Sequence, residues 1–132
     1  MTKDVKNFED QRWARDDQDL GFRHRTALEL INQGPVLDLG CGDGLLLSRL
    51  NEKGIIGQGL DISSNAVDKC KSKNVQAEQY DFTDKSLPYE KNSFEYVVLL
   101  DILEHVFEPS RLLGEAIRVS RKCQMYASVP RQ

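Results

Sequence analysis

The chain has 132 residues, 39% of them hydrophobic and 30% charged, with a formal net charge of −3. That length suffices for one domain with a true core, and the balance is ordinary for a globular protein. The negative charge gives no electrostatic reason to expect nucleic acid or an anionic membrane as a partner, and no apolar run approaches the roughly 20 residues that span a bilayer.

The N-terminal stretch MTKDVKNFEDQRWARDDQD is charged and lacks the apolar segment of a secretory signal. Residues 1–20 read as an N-terminal arm whose large apolar anchors are Phe8 and Trp13. Such an arm is either partly ordered or folds over a ligand and closes it. Residues 21–132 read as a single domain. Cys41, Cys70 and Cys123 are odd in number and lack metal-ligand spacing, so no metal site is expected. Free thiols suit a reducing compartment, with the cytoplasm as the default.

From Phe22 to Ile31 the apolar positions suit one helix face, and Asn32-Gln33-Gly34-Pro35 ends it with Gly34 as a C-terminal cap. A short apolar strand, Val36 to Leu39, contains Asp38 and breaks into Gly40, Gly42 and Gly44. A helix follows from about Gly44 to Lys53, and Gly54 stops it. Ile55 to Leu60 leads into a second strand ending at Asp61; Ser63 or Ser64 caps the next helix through Cys70 and Lys71. Val75 to Gln79 is a weak third strand, and Thr83 to Ser93 is a loop. Phe94 to Leu100 is the strongest strand, apolar on nearly every residue as a central parallel strand should be. A short turn over Asp101 to Phe107 precedes a helix from Pro109 to Ser120, and Cys123 to Val129 is a fifth strand.

Strands alternating with helices predict an α/β fold: a Rossmann-like parallel sheet with helices on both faces. Right-handed crossovers and a switch point after the first strand predict the order 3-2-1-4-5. Ligands in such sheets sit at the carboxyl ends of the strands. Asp38, Asp61, Asp81 and Asp101 all fall there.

The glycine turn alone does not choose a ligand. The dinucleotide fingerprint places a third glycine where this chain has Leu45. Asp38 and Asp43 flank the loop and would repel a pyrophosphate. A ligand with a positive charge and ribose hydroxyls fits better, and S-adenosylmethionine carries both without a phosphate. Asp38 then faces its ammonium, Asp61 accepts from both ribose hydroxyls, and Asp81 accepts from the adenine amino group while Phe82 or Ile62 packs on the ring.

With these residues in view, the chain resembles a class I S-adenosylmethionine-dependent methyltransferase over about residues 30–130. VLDLGCGDG matches that family's first motif, GLDIS its acidic second, YDFTD its adenine-side acid and FEYVVLLDILEHV its fourth. The SVP ending and LLGEAIRVSRK resemble the MetW-like group, while DILEH is closer to the "methyltransferase 11"-like pattern. The resemblance implies cofactor contacts at Asp38, Gly40, Cys41, Gly42, Gly44, Asp61, Ile62, Asp81, Phe82 and Leu100.

Methyl transfer needs a base only where the acceptor loses a proton, and Asp101, Glu104 and His105 are the candidates. The acceptor is expected to be a small molecule. Domains of this family usually add strands six and seven, whereas this sequence stops at Gln132. The fifth strand is therefore expected to be an open edge, which implies a truncated protein, a dimer that pairs the edges or a partner chain that covers them. The alternative to an enzyme is a non-catalytic cofactor-binding or partner-regulating module of the same fold.

Overall fold

The computed structural model describes residues 21–121 and 125–128. The arm with Phe8 and Trp13, together with Cys123 and Pro130, lies outside the described residues. Four helices are described: α1 (Phe22–Leu30), α2 (Leu45–Glu52), α3 (Ser64–Ser72) and α4 (Pro109–Val119). The strands are β1 (Val36–Leu39), β2 (Gly57–Asp61), β3 (Ala77–Gln79), β4 (Tyr96–Leu100) and β5 (Met125–Ser128), and a helix stands between successive strands except from β3 to β4, where a loop connects them. A 3-10 turn spans Leu103–His105.

The sheet runs β3-β2-β1-β4-β5, and every pairing is parallel. This is the order expected from a switch point beside β1. Asp38 stands opposite Gly59 on β2 and Val98 on β4, near the centre of the sheet.

Successive strand residues point to opposite faces, and the two cores follow that period. Val36, Val98 and Leu100 pack on one face with Ala27 and Ile31, with Leu46, Leu47 and Leu50 of α2, and with Val67 and Cys70 of α3. Leu37, Leu39, Val97 and Leu99 pack on the other with Leu112, Ala116 and Val119 of α4 and with Phe82 and Phe94. Asp38 shares the alternation of Val36, so its carboxyl belongs to the face covered by α1, α2 and α3.

Several boundaries differ from the sequence expectation. α1 ends on Ile31, whose N–H donates to the Ala27 carbonyl, and not on a Gly34 cap. Gly34 is needed for another reason: a Cβ there would come within 2.7 Å of the Ile56 carbonyl. Phe22 and Leu30 are exposed, so the apolar face of α1 narrows to Ala27 and Ile31, with Leu28 packed partly against it. β3 is only three residues long. Phe94 lies just outside β4, bridged to Ser120. Ser63 caps α3 as expected, its Oγ accepting from the Ala66 N–H at 3.2 Å.

β2 carries two glycines because helix and loop press on it. A Cβ on Gly57 would lie 2.4 Å from Leu47 Cδ2, and one on Gly59 would lie 2.5 Å from Cys41 Sγ. These glycines set how closely α2 and the β1–α2 loop lie on the sheet.

Candidate functional site

The β1–α2 loop turns through three glycines in the left-handed region: Gly40 (φ 76°), Gly42 (φ 58°) and Gly44 (φ 81°). A side chain at Gly40 would also meet Ile102, and one at Gly44 would meet Cys70 and Val75. Glycine therefore answers both backbone conformation and space.

The loop's N–H groups are turned inward. Gly40 and Cys41 donate to the Leu60 carbonyl at 2.8 and 3.1 Å, and Gly44 donates to the Cys41 carbonyl at 3.1 Å. Gly42 donates to Asp61 Oδ2 at 2.9 Å, and Leu45 donates to Asp43 Oδ1 at 3.1 Å. A phosphate-binding loop presents such donors to its ligand. Here the N–H groups of Gly40, Cys41, Gly42, Gly44 and Leu45 are spent on the protein.

Asp61 ends β2 and is 4% exposed. Its second oxygen accepts from the Ser63 N–H at 2.9 Å, so one carboxylate ties the glycine loop to the start of α3. Asp38 is 3% exposed, and among the described residues no side chain donates to it or forms an ion pair with it. Burial, with the Asp61 charge nearby, pushes its carboxyl up to about 8.

Asp43 departs from its expected role. Lys73 Nζ lies 3.1 Å from its Oδ2, so its charge is balanced locally. Cys41 and Cys70 meet at 3.8 Å between sulfurs, and Cys70 Sγ donates to the Gly42 carbonyl at 3.1 Å. The Cys70 contact and burial raise the Cys41 thiol well above its usual range.

Asp81 follows β3 and is half-buried, accepting from the Thr83 N–H at 3.0 Å and from the Thr83 hydroxyl. Phe82 is 1% exposed and sits in the second core, so it offers no free face to a ring. Ile62, 6% exposed, lies at the β2 end outside both core clusters. Leu100 closes β4 in the first core.

Beyond Leu100, Asp101 adopts φ 57°, a conformation rare for a residue with a side chain. Arg23 of α1 lies 3.2 Å from both of its oxygens, hydrogen-bonding Oδ2, while the buried Oδ1 receives the charge but no hydrogen bond. Glu104 and His105 follow in the 3-10 turn, with His105 Nε2 3.3 Å from Glu104 Oε1. Arg23 is the residue that the sequence hid. It stands in the run Arg23-His24-Arg25, and nothing local distinguishes the one that reaches β4. Among the described residues no cluster of His, Cys, Asp and Glu could hold a metal, and no helix is long and apolar enough to cross a membrane.

A parallel sheet in this order, with a glycine loop after β1 and acids at the ends of β1 and β2, is the class I S-adenosylmethionine-dependent methyltransferase fold. Among similar structures is a chain assigned as a methyltransferase, solved with the Haloferax volcanii Trm112 methyltransferase activator. It superposes with a TM-score of 0.81 at 26% identity, covering 95% of this chain and 60% of that one. A protein from Pyrococcus horikoshii superposes at 0.67 with 28% identity, covering 79% and 54%. The ubiquinone biosynthesis O-methyltransferase of Coxiella burnetii is 34% identical over 82 residues, 59% of this chain and 35% of that protein. The chain thus spans only about a third of the length of this curated relative. A family profile described as methionine biosynthesis protein MetW matches residues 22–130, and the chain belongs to the MetW family.

Proposed function

We propose that residues 21–132 form one domain that binds S-adenosylmethionine and transfers its methyl group to a small-molecule acceptor. The observation that carries this reading is the glycine loop whose N–H groups face inward beside two buried acids. Such a site offers a pyrophosphate few free donors and suits a cation with ribose hydroxyls. Asp38 holds the ammonium, Asp61 accepts from the ribose, Asp81 accepts from the adenine amino group and Ile62 packs on the ring. Gly40, Cys41, Gly42, Gly44 and Leu100 shape the wall.

The bound donor supplies a methyl group already activated on a sulfonium. The protein's own task is alignment and exclusion of water, which a closely packed loop serves well. Where the acceptor must lose a proton, Asp101, Glu104 and His105 are the groups at the end of β4 that can take it. The name of the Coxiella burnetii relative supports a small-molecule acceptor. The Haloferax volcanii complex supports a second protein chain, and we place it or a second copy along the outer edge of β5, in the cytoplasm.

Calorimetry with S-adenosylmethionine, S-adenosylhomocysteine and NAD tests this. The sulfur ligands should bind and NAD should not. Asp61→Ala should weaken binding by roughly 10-fold or more, as the loss of a charge-assisted hydrogen bond implies. Binding of NAD alone, or binding that survives Asp61→Ala unchanged, would overturn the assignment. Release of S-adenosylhomocysteine over a panel of acceptors tests the transfer itself.

A further inference from the structure

Asp38 and Asp61 place two buried carboxyls at the ends of neighbouring strands, and the structure treats them differently. Asp61 receives N–H groups from Gly42 and Ser63, one on each oxygen. Asp38 receives no such donor among the described residues and is nearly sealed from water. A second negative charge beside an ionised Asp61 is costly in this setting, so the cluster accommodates either a proton or a bound cation on Asp38.

Among the described residues, the groups on the elements around Asp38 are engaged elsewhere. The β1–α2 loop contributes the Cys41 thiol, which feels both carboxyls, and Asp43, which Lys73 already neutralises. From α3 comes Cys70, whose thiol is engaged by the Gly42 carbonyl. At the end of β4 stands Asp101, and the Arg23 guanidinium from α1 is committed to it.

We propose that ligand binding at this site expels a proton from Asp38, which makes the site select a cationic amine and bind it more tightly as pH rises toward neutrality. The inference rests on the reading that S-adenosylmethionine or its product is the ligand. In the free protein the carboxyl is neutral, with its proton on oxygen. In the complex the ligand's ammonium sits against the carboxylate, and the displaced proton goes to solvent. A ligand without the amine leaves Asp38 protonated and exchanges nothing. Because the free site binds one more proton than the complex, affinity should rise about 10-fold per pH unit where Asp38 is protonated and the amine is charged. The rise should level off once Asp38 of the free protein loses its proton unaided, and affinity should fall again when the ligand's amine loses its own.

The test is calorimetry of the full chain with S-adenosylhomocysteine and with methylthioadenosine, which has the same nucleoside thioether without the amino-acid end. Titrations from about pH 5.5 to 7, in buffers of different ionisation enthalpy, count the protons. S-adenosylhomocysteine should release close to one proton and gain about 10-fold in affinity per unit. Methylthioadenosine should release none and show a flat profile. Asp38→Asn should bind S-adenosylhomocysteine more weakly and without pH dependence. A flat profile for S-adenosylhomocysteine, an equal slope for methylthioadenosine, or a slope retained in Asp38→Asn would overturn the proton exchange and leave the cofactor reading standing. Absence of S-adenosylhomocysteine binding at every pH would overturn both. The comparison of the two ligands needs only the unmodified chain, so it decides the matter even if the variant does not fold.

Discussion

Asp38, 3% exposed, holds its proton to about 8, whereas the same group in an unfolded chain releases it near 3.8. Between those limits the unfolded state binds fewer protons, so the Asp38 contribution to stability is present at low pH and is lost as pH rises toward 8. Asp38→Asn keeps the shape without the titration. The ligand-free variant should therefore gain stability over the parent at about pH 8 and show little gain at about pH 4, measured by thermal melts at both. The opposite ordering would mean that a cation already neutralises Asp38. At Gly59 the constraint is steric, because a Cβ would lie 2.5 Å from Cys41 Sγ. Gly59→Ala should cost about 1–3 kcal/mol, read as a lower denaturation midpoint at unchanged slope. It should also weaken ligand binding, since the atom that must move belongs to the glycine loop.

At the scale of elements, α4 does more than cover the sheet. Arg118 donates to the carbonyls of Leu87 and Tyr89 at 3.1 and 2.8 Å, and Glu115 accepts from the Leu87 N–H at 2.7 Å. The two side chains also pair at 2.9 Å, and the Arg118 hydrogen bond holds the Glu115 carboxyl below its usual range. The loop after β3, which contains Asp81 and Phe82, is thereby fastened to the helix that covers the same face of the sheet. Arg118→Ala should cost about 1–2 kcal/mol, the upper part reduced by its solvent exposure. Faster hydrogen exchange at the Leu87 amide should report it, with α2 and β1 unaffected. The lowered Glu115 carboxyl signs its own contribution: present above its unfolded value and lost as pH falls through the folded one.

For the whole molecule, the order of strands and the ring of acids were readable because each depends on a local pattern. Val36 to Leu39, the glycine turn and the leucines of α2 announce a strand, a loop and a helix within fifteen residues or so, and right-handed crossover fixes the rest. The strand ends then bring Asp38 and Asp61 together with no further information. What the sequence concealed depends on pairs far apart in the chain. Lys73 on Asp43, Arg23 on Asp101 and Cys70 on Gly42 are each invisible until the sheet sets the distances. Phe82 next to Asp81 suits a ring-stacking role by position, yet the depth of the second core decides that it is buried. The same distinction holds for Gly57 and Gly59, whose steric role comes from Leu47 and Cys41 lying over them. A ligand that binds only the folded chain should stabilise it by about 2.7 kcal/mol at 100 times its dissociation constant. S-adenosylhomocysteine should produce that shift in melting, and NAD at the same concentration should not.

The most direct measurement is a crystal structure of the full chain grown with S-adenosylhomocysteine. The ligand should lie over the carboxyl ends of β1, β2 and β4, with its ribose hydroxyls on the Asp61 carboxylate and its amino group facing Asp38. A ligand bound elsewhere, or one whose ribose and amine avoid both acids, would contradict the assignment.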